Sequence, residues 1–276
     1  MPETNQTRST AGSVPKFALD LWLRIGHRAR VRFPGAAPLF VVLTMASVCR
    51  ADAPDERELW NSFDAFMGVS DGWESKKEDD GIKVYLRDVD VSPIKSFRGV
   101  VEMETSLAAL AAFLMDTEMA PEYVKVCERA RILRRVSDTE VYMHSVNRPG
   151  WPVAPRDSVV HCKWSQDSET LAVTERCVGV PDYLPESEGF VRVPLITTLL
   201  KLTPRGNGRV ELMLEAVAEA GGWLPNWLIN TVLVDTPFST LSRIRNRLPF
   251  TGYEGRQPNW LQEPPRHNVA QEIAGP

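Results

Sequence analysis

Apolar residues change their spacing several times along this chain, and each change marks an element. In "DERELWNSFDAFMGV" (Asp55–Val69), Leu59, Phe63, Phe66 and Met67 fall on one side of a predicted helix. "GIKVYLR" (Gly81–Arg87) and "KSFRGVVEME" (Lys95–Glu104) alternate instead, and predict two strands joined by a turn around Ser92-Pro93. In the second strand Phe97, Gly99, Val101 and Met103 face one way. Thr105 or Ser106 caps a helix through Leu107, Leu110, Ala111 and Leu114, and a short helical piece follows near Pro121. The chain then reads strand, turn, strand over 126–136, 139–147, 156–165, 170–179, 189–202 and 209–219. "SDTE", "SQDSE" and "PRGNGR" supply hairpin turns. Two longer connections, "RPGWPVAP" (Arg148–Pro155) and "PDYLPESE" (Pro181–Glu188), are rich in proline. A long apolar helix is predicted over 224–248. Consecutive strands on short turns with segregated helices make an α+β fold around an antiparallel sheet.

That last helix carries Pro237 in its middle. On a helical wheel Leu228, Ile229, Val232 and Leu233 form one arc, and Pro237, Leu241, Ile244 and Leu248 form another, rotated from it. Ile229, Leu233, Thr236, Thr240 and Ile244 lie in the shared seam. The expectation is an apolar face that swings at Pro237, as in a bent helix closing a curved sheet. The preceding strand, "VELMLEAVAE", alternates Val210, Leu212, Leu214, Ala216 and Ala218 and ends in Gly221-Gly222. Its side chains shrink toward the start of the helix. Other strands contribute Met103, Met143, Ser145 and Cys162, which are soft or small. Such residues leave room, so an internal cavity is expected. Close approach of the helix is the alternative use of the taper.

Charge narrows the options. The chain of 276 residues carries −4, but residues 1–53 hold seven Lys/Arg against three Asp/Glu, leaving −8 for 54–276. An acidic body lacks the clustered cations of a nucleic-acid groove, so no nucleic acid is expected. "HRARVRF" (His27–Phe33) followed by the 14-residue run "GAAPLFVVLTMASV" and then "ADA" (Ala51–Ala53) has the order of a cleavable signal. The run is shorter than the roughly 20 residues a spanning helix needs. Export, periplasmic or secreted, with cleavage near Ala51 or Ala53 is expected; a buried core helix is the competing reading. The stretch before the basic cluster is unusually long for such a leader, so a translation start further down, near Leu23 or Val31, is expected. Removal of Cys49 leaves Cys127, Cys162 and Cys177, which allow one bridge at most. Cys162 and Cys177 sit on consecutive strands with an offset register, so buried free thiols are expected.

No phosphate-cradling glycine loop or metal-spaced Cys/His cluster is present. His144, His161 and Cys162 make a poor zinc site, since His161 and Cys162 point to opposite faces of one strand. Asp157 and His161 lie about 13 Å apart along a strand, too far for a dyad. No metal and no cofactor are expected.

"GWPVAPRDSVV", "GFVRVP" and "AEAGGWLPNWLIN", together with "GIKVYLR" and "KSFRGVVEME", resemble the START domain, the steroidogenic acute regulatory protein-related lipid-transfer domain. The resemblance covers about Asp55 to Leu248. It implies a helix-grip fold: a curved antiparallel sheet wrapped around the C-terminal helix, enclosing a hydrophobic tunnel for one lipid. Residues 54–250 would form that domain, after an extension (1–53) and before a Pro-rich mobile tail (251–276). The Trp151 loop and the 181–188 loop would lie near the tunnel mouth. Some sterol-binding relatives place a charged pair inside the tunnel on the strands corresponding to 141–147 and 156–164, where the nearest positions in this chain are Ser145 and Cys162. Arg156 is a candidate for a lipid head group, or for a salt bridge that fixes its loop. The lining expected from the sheet is Met103, Met143, Ser145, Cys162, Trp164, Leu212 and Leu214, with Trp151 and Arg156 near the mouth. The helix would add Ile229, Leu233, Thr236 and Thr240. The implied protein is a non-enzymatic monomer that binds a phospholipid, sterol-like or fatty acyl ligand and touches membranes transiently. A helix-grip enzyme such as a polyketide aromatase/cyclase is the alternative.

Overall fold

The computed structural model describes residues 56–67, 71–89, 92–219, 221–222 and 226–265. The expected signal segment lies outside these residues, as do Trp223 and the side chains of Trp227 and Ile229. The chain runs α1 (Glu56–Met67), β1 (Glu74–Asp79), β2 (Ile82–Val89), β3 (Ser92–Glu104), α2 (Leu107–Met115) and α3 (Ala120–Tyr123). It continues through β4 (Cys127–Ser137), β5 (Glu140–Asn147), β6 (Arg156–Gln166), β7 (Val173–Gly179), β8 (Val191–Arg192), β9 (Leu195–Gly206) and β10 (Arg209–Glu219) to α4 (Asn226–Arg247). The strands form one sheet in the order β1-β2-β3-β10-β9-β7-β6-β5-β4, and β8 pairs with β6 in parallel.

Two elements differ from expectation. β1, "ESKKED", has no apolar alternation to reveal it; as a charged edge strand it discourages pairing with other chains. The strand expected over 189–202 is split at Pro194, which cannot donate to a ladder, into β8 and β9.

Residues 251–265 do not hang free, as a mobile tail would. Tyr253 and Leu261 are buried in the main core with Leu107, Phe113, Leu241 and Ile244. The Glu263 carboxylate accepts the Leu107 and Ala108 N–H groups at 3.0 and 2.7 Å, and the Ser106 hydroxyl accepts that of Ala109. These bonds satisfy the unpaired donors at the start of α2.

The described side chains of α4, from Val232 onward, present one stripe, while Leu228 and Ile229 of the expected first arc lie outside them. Leu233, Pro237, Thr240, Leu241, Ile244 and Leu248 are buried, whereas Val232 is 45% exposed. The wheel misplaced Val232 because it weighed hydropathy alone. Pro237 belongs to the pressed side, where α4 meets β3 at Gly99. A Cβ at Gly99 would lie 2.7 Å from Leu241 Cδ1 and 3.2 Å from Pro237 Cβ. Leu241 is fully buried and has nowhere to turn. Gly99→Ala is therefore expected to lower stability by about 1–3 kcal/mol, read as a shifted denaturation midpoint. An unchanged midpoint would mean that α4 is not seated against β3.

Candidate functional site

Side chains alternate across a strand, and directly opposed residues on neighbouring strands share a face. The contact of Leu241 with Gly99 therefore fixes the helix-covered side of the sheet. From Gly99 the partners run to Leu214, Leu200, Glu175 and Trp164. A second row runs through Thr198, Cys177, Cys162 and Val141, and further pairs join Met143 to Val160 and Ser145 to Ser158. Arg156 shares the β6 parity, and Met103 and Leu212 share those of β3 and β10. All eight sheet residues expected as lining thus occupy one inner face.

Their surroundings differ. Met103, Trp164 and Leu212 are buried in the cluster built with α2 and the C-terminal half of α4, so they pack the core. Cys162 is also sealed. Met143, Ser145, Ile196, Thr198, Leu200 and Leu214 keep part of their surface accessible. On α4, Leu233 and Thr240 are buried and Thr236 is half-buried. Trp151 is 96% exposed and lines nothing internal; its loop turns through a cis Trp151-Pro152 bond into solvent. The Ser145 and Ser158 hydroxyls hydrogen-bond each other at 2.8 Å.

Cys162 and Cys177 form a disulfide, overturning the expected free thiols. β7 begins at Val173, after a turn in which Leu171 adopts a φ of 56°, so the register brings the two cysteines directly opposite each other. Closing a loop of this length is worth about 3 kcal/mol.

Arg156 donates to the carbonyls of Ala154 at 2.6 Å and Gly221 at 3.3 Å, tying the Trp151 loop to the turn that precedes α4. Burial lowers its pKa from the ordinary arginine value. The carboxylate next to it, Asp157, faces the other side of the sheet. There it takes two bonds from Arg192, at 3.0 and 2.9 Å, and one from His144 at 3.0 Å. Burial works to raise the Asp157 pKa, but the Arg192 and His144 hydrogen bonds, with their charges, hold it below the ordinary value. Arg192 also binds the carbonyls of Pro181, Leu184 and Pro185, so Asp157 anchors the 181–188 loop to β6.

Other polar groups on this outer face pair with one another. Arg98 and Arg87 converge on the buried Glu215, with nearest distances of 2.8 and 3.6 Å. His161 pairs with Glu140 at 2.7 Å. Its ring stacks on Tyr142 and lies near Trp60 of α1. His144 and His161 are therefore on the side opposite Cys162, whose thiol is bonded.

Glu175 escaped the sequence reading. It sits on the inner face between Val173 and Cys177, an acid at an apolar parity, and that alternation was its available signal. Protein surrounds it, and burial pushes its pKa up to about 8 against the lowering effect of a Trp164 hydrogen bond. Yet it retains accessible surface. A separate cleft of about 1010 Å³ lies between the β9–β10 hairpin, the β3–α2 corner and the 249–265 segment. Glu102, Glu104, Arg209, Arg245, Glu254 and Glu263 line it with charges of both signs, unlike the apolar inner face.

Comparison with known proteins agrees with this architecture. A START domain family model matches residues 56–249. An uncharacterised protein of Pseudomonas aeruginosa is 31% identical over 178 residues, spanning 64% of this chain and 87% of that protein. The mitochondrial steroidogenic acute regulatory protein of Gallus gallus is 29% identical over 193 residues, 67% of each chain. The crystal structure of a STAR-related lipid transfer protein fragment from Xanthomonas axonopodis superposes with a TM-score of 0.60 at 35% identity, covering 65% of this chain and 99% of that one. Human StAR-related lipid transfer protein 5 superposes with a TM-score of 0.63 at 15% identity, over 70% of this chain and 94% of its own, a likeness of fold alone. The helix-grip arrangement of a long antiparallel sheet under a C-terminal helix, matched across 56–249, places the chain in the START domain family.

Proposed function

We propose that this protein binds one hydrophobic lipid between the inner face of the sheet and α4, and carries or presents it between membranes. One observation carries this reading. On the side of the sheet that α4 covers, a patch of Met143, Ile196, Leu200 and Leu214 packs against the core on one side only and keeps accessible surface on the other. An acyl chain or ring system laid there gains about 0.8 kcal/mol per methylene and needs no catalytic group. The family, and the lipid-transfer role named for the Xanthomonas relative, support the same ligand class.

Two further observations support export and membrane contact. A disulfide persists in an oxidising compartment, which accords with a periplasmic or secreted protein. A tryptophan left almost wholly exposed on a Pro-rich loop suits brief insertion at a membrane interface. The carrier is a monomer in this reading and performs no reaction.

Native mass spectrometry and solvent extraction of the purified full chain test it. One lipid per chain is the expected result, and Leu214→Trp, which fills the patch, is expected to cut occupancy at least tenfold. No binding across a broad lipid panel, with turnover of an aromatic polyketide precursor, would overturn the carrier in favour of a helix-grip enzyme.

A further inference from the structure

We infer that Glu175 is the polar anchor of this ligand space, selecting an uncharged lipid that bears a single hydroxyl or carbonyl oxygen. The inference rests on the lipid-binding reading above and adds the ligand's chemistry to it. By register Glu175 lies on the inner face between Trp164 of β6 and Leu200 of β9. Its carboxyl comes within 4.8 Å of both sulfurs of the Cys162–Cys177 bridge, which offer no proton. The Trp164 indole gives it one hydrogen bond. Among the described residues no cation pairs with it; the Tyr123 phenol, which burial keeps protonated, is the other titratable group close enough to feel its charge. A carboxyl in an apolar enclosure with part of its bonding capacity unfilled is costly, and a ligand oxygen removes that cost.

The charge state selects the ligand class. With a pKa near 8, Glu175 is largely neutral at pH 7 and presents an O–H donor as well as an acceptor. An alcohol or an ester carbonyl completes the pairing, whereas a pure hydrocarbon leaves it open. An anionic group is disfavoured, since it must be buried without a counter-charge. Arg156, on the same face, lies about 26 Å away along β6 by strand rise, and its guanidinium is already engaged by backbone carbonyls. On the same face the Ser145 hydroxyl is taken by Ser158 and Cys162 by the disulfide, so neither competes with Glu175 for a ligand oxygen.

The test is displacement of the neutral fluorophore N-phenyl-1-naphthylamine from the full chain by 1-tetradecanol, methyl tetradecanoate and tetradecane. The wild type is expected to prefer tetradecanol over tetradecane by about tenfold, the scale of one hydrogen bond. Glu175→Leu is expected to erase the preference, and the near-isosteric Glu175→Gln to keep it. Raising the pH through 8 is expected to weaken methyl tetradecanoate, which only accepts, while tetradecanol can still donate to the carboxylate. Glu175→Gln should not show that pH dependence, which a purely structural role would not produce. Equal binding of all three probes by the wild type, or a preference surviving in Glu175→Leu, overturns the anchor and leaves the carrier standing. Failure of every probe to displace the fluorophore overturns the carrier and the anchor with it.

Discussion

Asp157→Ala is expected to lower stability by about 3–5 kcal/mol and to loosen the 181–188 loop. Asp157 is 1% exposed, and its two oxygens are filled by Arg192 and His144. Removing it strands a buried guanidinium, which is the expensive way to break an ion pair. The same guanidinium holds the carbonyls of Pro181, Leu184 and Pro185, so the loss spreads from β6 to the whole connection. Hydrogen exchange should rise selectively over 181–188, and chemical denaturation should give the energy. The pH dependence has a definite sign. Asp157 is held below its ordinary pKa in the folded state. Its contribution is therefore present above the unfolded value of about 4 and is lost as pH falls through the lower folded value. The gap between wild type and Asp157→Ala should shrink in acid below about pH 4. A variant as stable as wild type at pH 7, with an unchanged loop, would mean that the pair is ornamental.

Most of the fold was legible because its strands are separated by explicit turns and its inner face alternates. The limits of β6 and β10, the Ser106 cap and the extent of α4 all follow from local pattern and match closely. What was not legible depends on pairing over distance. The disulfide required the register of β6 against β7, which rests on where the 167–172 turn ends. Asp157 and Arg192 are 35 residues apart, and nothing local tells an arginine which carboxylate it will meet. Arg156 does fix its loop as expected, but through the carbonyls of Ala154 and Gly221, while the neighbouring Asp157 takes Arg192. β6 is buried on both faces over most of its length, so hydropathy could not say which side carried chemistry. Glu175 was visible as an acid among inward positions, but its enclosure by Trp164 and the disulfide is a tertiary fact.

Glu215→Ala is the other change expected to cost about 3–5 kcal/mol, for a reason that separates the two faces of the sheet. Glu215 is fully buried on the outer face, where Arg98 reaches it from β3 and Arg87 from β2. Burial pushes the Glu215 carboxyl above its usual pKa, and the two guanidiniums pull it back. Burial likewise lowers the Arg87 pKa, so both members bear the cost of leaving water. Both arginines also lie over the Trp73 ring, and Arg87 donates to the Phe66 carbonyl near the end of α1. The cluster therefore joins three strands to the first helix, and removing its anion leaves the buried Arg87 and the half-buried Arg98 facing each other without a counter-charge. Intact, it adds little net stability, because desolvation nearly offsets the attraction. That balance predicts a recovery: the triple variant Arg87→Met, Arg98→Met, Glu215→Leu should be within about 1–2 kcal/mol of wild type, or above it. Denaturation of the single and triple variants side by side decides the matter. If the triple falls as far as Glu215→Ala, the charges themselves hold α1 to the sheet; recovery means that only their pairing matters, and that the outer face tolerates an apolar layer as the inner face does.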